Sequence, residues 1–171
     1  MTTGARAADR HLAAPPGALL EAVDEPCRAL AATAAGRVFR VPGEGAEAAL
    51  VAEGRTGARY DTILSFMCTP QAPSIPDYVA AMEQILASGG WICMVEPAGL
   101  DRGPARGWLT ARFRHQSPQR RDKGRDVVSA VRSGGFMVTD IHRREAPSAP
   151  AAWRQYVVLR ARRSSPRSPG S

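Results

Sequence analysis

Lysine is almost missing from this chain. Lys123 is the only one, so the formal net charge of +7 rests on arginine. Such a balance, in a chain this rich in alanine, fits a GC-rich coding bias as well as it fits selection for phosphate binding. The arginines cluster at 102–125 and from Arg143 onward, without an RNA-binding signature, so they read as a solvated face and tail. No specific nucleic-acid partner is expected. Long apolar runs are lacking too: nothing approaches the roughly 18–20 residues of a membrane span, so no membrane partner is expected. The opening MTTGARAADRHLAAPPGA has no unbroken apolar core of a signal peptide. Cysteine is scarce and scattered. Cys27, Cys68 and Cys93 form no CxxC pair and have no histidine beside them, which excludes a zinc site or a disulfide framework and points to a reducing cytoplasm.

What is present is ordinary for one globular domain: 171 residues, 44% of them hydrophobic and 23% charged. The domain is expected over 1–163, with a disordered basic tail at 164–171, where Pro and Ser replace apolar periodicity. Residues 5–14 read as a short helix. ALLEAVD (18–24) reads as a short strand ending on acids, and Pro26 as the first turn of a helix over roughly 26–35, stopped by Gly36. RVFRV (37–41) is β-branched and aromatic, hence a strand. AEAALVAEG is helical and YDTILSF (60–66) a strand. Pro76 opens a helix on which Val79, Met82, Ile85 and Leu86 keep helical spacing. Gly89-Gly90 ends it, and WICMV follows as an apolar run suited to a strand covered on both faces. DVVSAVRSGG, FMVTDI and WRQYVVLRAR give one more helix and two strands. The expected strands are thus 19–23, 37–41, 60–66, 91–96, 136–142 and 154–162, in an α/β architecture with a mostly parallel sheet. Glu96-Pro97 falls at the carboxyl edge of such a sheet, where ligands bind, or simply ends its strand.

The order of these segments resembles the class I S-adenosylmethionine-dependent methyltransferases that act on small molecules. ALLEAVDEPCRAL looks like that family's second strand with its acid, and VFRVPGEGAEAAL like the third strand and the loop beside adenine. YDTILSF is similar to the fourth-strand motif. YVAAMEQILASGGWICMVEP resembles the helix, glycine pair and fifth strand. VVSAVRSGGFMVTDI and WRQYVVLRARR resemble the closing helix and a reversed hairpin. The likeness covers about residues 4–162. It implies a Rossmann-like methyltransferase fold whose last strand runs reversed, with S-adenosylmethionine as cofactor and a small-molecule substrate. The family's first strand and glycine-rich turn have no counterpart except Thr3-Gly4, which looks like the end of that turn. The expectation is therefore an N-terminally shortened methyltransferase, with unpaired strand edges open to self-association. A non-catalytic methyltransferase-like binding or scaffold protein is the alternative.

The resemblance assigns roles residue by residue. Gly4 lies in the cofactor turn. Asp24 takes the ribose hydroxyls, with Glu25 as its substitute; without the resemblance, Asp24 is a solvated cap. Glu44 and Gly45 match the adenine loop, although the family more often has Asp and an apolar residue there. Phe66 and Met67 sit beside the sulfonium, and Cys68 reads as a small buried residue. SFMCTP departs from the Asn/Asp-Pro-Pro-Tyr of enzymes that methylate amide or base nitrogens. His115 lies in the expected substrate lid, where it is a general base for an acceptor hydroxyl or a solvated side chain. Trp108 and Phe113 wall a substrate pocket or pin the lid.

Overall fold

The structure is a computed structural model that describes residues 15–98 and 126–163. It contains α1 (Gly17–Ala32), β1 (Val38–Arg40), α2 (Ala46–Arg55), β2 (Tyr60–Phe66), α3 (Ile75–Ile85), β3 (Leu86–Pro97), α4 (Val127–Ser133), β4 (Phe136–Glu145) and β5 (Gln155–Arg163). The sheet order is β1-β2-β3-β5-β4. The β1–β2 and β2–β3 pairs are parallel. β5 pairs antiparallel with both β3 and β4. The last strand therefore enters reversed, as expected, and sits between its two predecessors.

Side-chain alternation explains the apolar runs. Ile63, Ile92, Met94, Val157 and Leu159 point to one face, where they meet α2, α3 and α4. Leu64, Cys93, Val95 and Tyr156 point to the other, where α1 covers them with Leu19, Val23 and Leu30. A strand clothed on both faces has no polar side to show in its sequence. The glycine pair before α4's strand does end a helix, with Gly135 at φ 79.

Two expectations need correction. The first concerns ALLEAVD, which is helix. The segment's buried residues Leu19, Val23, Pro26 and Leu30 fall at helical spacing, and Leu20 is exposed. Six of its seven residues are Ala, Leu, Glu or Asp, so only Val23 carries a β-branched preference. The helix also runs through Pro26, which has no N–H for the carbonyl of Ala22. The Tyr156 hydroxyl donates to that carbonyl at 3.2 Å and satisfies it instead.

Second, α3 ends at Ile85, not at Gly89-Gly90. Leu86 already pairs with Tyr60, and the register then jumps to Thr62 opposite Trp91, so residues 87–90 form a bulge with Gly89 at φ 71. Among the described residues, β1 is the edge strand of the sheet. The segment expected to be the family's third strand lies directly against the one expected to be its fourth. β1 is three residues long, and Val38 on it is exposed. No described helix is long and apolar enough to cross a membrane.

Candidate functional site

The parallel strands β1, β2 and β3 end together, and the turns leaving them build one edge. After β2 the chain turns sharply: Met67 has φ 55, a left-handed conformation uncommon for a residue with a Cβ. A 3-10 turn at Thr69–Gln71 follows. The end of β3 holds this turn from the side. Glu96 is fully buried. Its Oε1 accepts from Ser65 Oγ at 2.6 Å and from the Cys68 amide at 3.2 Å. Its Oε2 accepts from the Thr69 amide at 3.0 Å and from Thr69 Oγ1 at 2.8 Å. Tyr78 of α3 extends the network, its hydroxyl 2.8 Å from Ser65 Oγ.

Burial pushes the Glu96 carboxyl up to about 7, outweighing the donors from Ser65, Thr69 and Cys68 that favour its charge. The sign for stability follows. A folded state that holds its proton more tightly than the unfolded chain loses stability as pH rises from the ordinary carboxylate range through about 7. Urea unfolding is expected to show a lower midpoint at roughly pH 8 than at pH 5, with the difference removed by Glu96→Gln. A midpoint that rises over this interval would contradict the assignment.

Burial also pushes the Cys68 thiol up to about 11, with the Glu96 charge adding to the effect. The Cys27 thiol of α1 is pushed up to about 12, first by burial and then by Glu96. Neither thiol is a nucleophile near neutral pH, in agreement with reading Cys68 as a small core residue. Among the described residues no group of His, Cys, Asp or Glu is placed to hold a metal.

Beside the Glu96 network, the loop after β1 and the turn after β2 border an open depression of about 600 Å³. Gly45, Ala46, Glu47, Ala48 and Val51 line one side, and Gln71, Ala72 and Pro73 the other. Gly45 adopts φ 65 with nothing within 4 Å of where a Cβ would stand, so the backbone is open to a close-lying ligand. Glu47 Oε2 is buried and has no hydrogen-bond partner among the described residues. An acceptor in that state is suited to an incoming N–H or O–H donor.

The sequence-based candidates divide clearly. Phe66 and Met67 lie at the edge, next to Glu96's turn, and Gly45 lines the depression. Glu44 is exposed in the preceding loop. Asp24 sits within α1, largely exposed, and pairs with Arg28 at 2.7 Å. The strand end that was to present Asp24 or Glu25 to ribose does not exist, so the premise of that role is gone; both are exposed on the helix. Gly4, His115, Trp108 and Phe113 lie outside the described residues, as does the tail at 164–171. Sequence reasoning missed Glu47, Ser65 and Thr69 as site residues, and left Glu96 either at the ligand edge or as a plain strand end. For Glu96 a signal was available: a carboxylate that closes a fully apolar strand must find buried donors or stay in water.

No protein-family model and no curated protein matches this chain. Solved structures do resemble it. A Thermotoga maritima SAM-dependent methyltransferase, described as a possible histamine N-methyltransferase, is 9% identical at a TM-score of 0.48, over 86% of this chain and 91% of that one. A 16S rRNA (adenine(1408)-N(1))-methyltransferase from Catenulisporales acidiphilia, with cosubstrate SAM, is 14% identical at 0.42, over 86% and 93%. The N-methyltransferase NodS from Bradyrhizobium japonicum WM9, in complex with S-adenosyl-L-homocysteine, is 13% identical at 0.38, over 63% of this chain and 48% of that one. The chain thus spans about half the length of NodS. Similarity at this level carries no residue role and no substrate across.

Proposed function

We propose that this chain is a methyltransferase domain that takes S-adenosylmethionine at the carboxyl edge of β1 and β2 and serves methyl transfer to a small molecule. The observation that supports it is the sheet order, in which β5 runs reversed between β3 and β4 beside a parallel set. That arrangement is the reversed hairpin implied by the sequence motifs, and it leaves the carboxyl edge of β1–β3 as the ligand side.

The residues at the edge suit an adenosine group. The unpartnered Glu47 Oε2 accepts an exocyclic amine, and the bare Gly45 backbone lets a flat ring approach. Phe66 and Met67 offer apolar and polarizable surface near a sulfonium. Bound there, the cofactor supplies an activated methyl carbon, which an acceptor lone pair takes as the carbon–sulfur bond breaks. This chain's share is positioning and water exclusion, and displacement of this kind depends on those more than on an acid–base pair.

The test is amide chemical-shift mapping of the 171-residue chain with S-adenosylhomocysteine, using NAD as a comparison ligand. Shifts centred on Gly45, Ala46, Gln71 and Ala72, and weakened by Glu47→Gln, are expected. No shifts at millimolar ligand, or equal shifts with NAD, would overturn the reading.

A further inference from the structure

Nothing in methyl transfer by positioning calls on Glu96, yet it is the most heavily partnered side chain at the edge. Three successive amides of the β2 turn all point to the end of β3. Met67 N donates to the Val95 carbonyl at 2.8 Å, and the Cys68 and Thr69 amides donate to the two oxygens of Glu96. A run of amides converging in this way is an anion nest, here filled by the chain's own carboxylate. It holds Met67 at φ 55, a conformation that persists only where the surroundings over-determine it.

We propose that Glu96 is a latch on the ligand-facing turn 67–71, closed when its carboxylate is ionised and loosened when a proton occupies it. The reason is the charge on the acceptor and the direction of its bonds. The Cys68 and Thr69 amides can only donate, so a protonated carboxyl must turn its own O–H toward a hydroxyl. Ser65 Oγ can receive it only by reversing its bond to Glu96 and donating to Tyr78 instead; the Ser65–Tyr78 contact permits either direction. Thr69 Oγ1 is the other recipient, by the same reversal. Either choice reverses one of the four bonds, and the amide bonds that hold the turn lose the charge assistance of an ionised carboxylate.

The titratable groups facing Glu96 are Cys27 from α1, Cys68 in the turn and Tyr78 from α3. Burial raises both thiols and the phenol, so all three stay neutral around neutral pH. Arg40 at the end of β1, which acts on Cys27, is a fixed charge. Among the described residues, Glu96 is therefore the one group in the cluster that changes charge there, in line with its carboxyl being pushed up to about 7. The latch operates whatever ligand the edge takes.

The experiment is a pH titration of the full chain, from roughly pH 5 to 9, followed by amide and methionine-methyl NMR without ligand. The Cys68 and Thr69 amides and the Met67 methyl are expected to shift together with one midpoint near 7. Ser65→Ala, which removes a donor to the ionised form, should raise that midpoint, and Glu96→Gln should abolish the titration. Resonances that do not titrate, or that still titrate in Glu96→Gln, overturn the latch. If Glu96→Gln does not fold, Ser65→Ala decides: an unmoved midpoint overturns the proposal and a raised one supports it. Because no ligand is present, a failure of cofactor binding leaves this result unaffected.

Discussion

Glu96→Ala is expected to lower stability by about 3–5 kcal/mol, seen as a fall in the urea midpoint with little change in slope. Alanine leaves four donors without an acceptor: the Cys68 and Thr69 amides and the Ser65 and Thr69 hydroxyls. Each unpaired buried donor costs about 1–3 kcal/mol, and the hydroxyls can re-pair in part, Ser65 with Tyr78. The backbone amides cannot. Relief of the carboxylate's own desolvation offsets some of the loss, which keeps the expected figure below the simple sum. Ser65→Ala, which removes one donor and leaves the amides paired, should cost about 1 kcal/mol. A loss below about 1 kcal/mol for Glu96→Ala would show that the turn holds its shape without the carboxylate.

The second large effect concerns α1. Leu19→Ala is expected to cost about 2–5 kcal/mol, and its neighbour Leu20→Ala less than about 0.5 kcal/mol. Leu19 is fully buried against the sheet, while Leu20, about 100° further round the helix, is 46% exposed. Adjacent residues on a strand covered by helices on both faces would both be buried and would both be costly to truncate. Equal large losses in thermal or urea unfolding would therefore return residues 18–24 to the sheet. The same result would restore the strand end that Asp24 needs for a ribose role.

The sequence carried most of the sheet. YDTILSF is β2 to the residue, and RVFRV, WICMV, FMVTDI and RQYVVLRAR lie within or across β1, β3, β4 and β5. These segments are rich in β-branched and aromatic residues and bounded by turn formers, so local preference and tertiary environment agree. Ser74 and Pro76 likewise mark the start of α3, where the Ser74 side chain accepts from the Asp77 amide.

The candidate site was less legible. Phe66, Met67 and Gly45 were named from the family resemblance; Phe66 ends β2, Met67 follows it, and Gly45 precedes α2. Glu47 could not, since its significance is an oxygen left without a partner, which depends on everything packed around it.

By itself, then, the sequence determined five of the six expected strands and the covered faces, because period and residue type act over a few neighbouring positions, while the reversed last strand followed from the family resemblance. Only the tertiary structure decided three other matters, and each turns on a partner far away in the chain. Pro26 is tolerated inside α1 because Tyr156, 134 positions from Ala22, supplies the missing hydrogen bond. α3 stops at Ile85 because Leu86 is taken into the sheet by Tyr60. Glu96 is a buried anchor, and not a solvated strand end, because Ser65, Cys68 and Thr69 bring four donors to it across the β2–β3 pair. A hydrogen bond of that range leaves no period in the sequence; it exists only once the strands have paired.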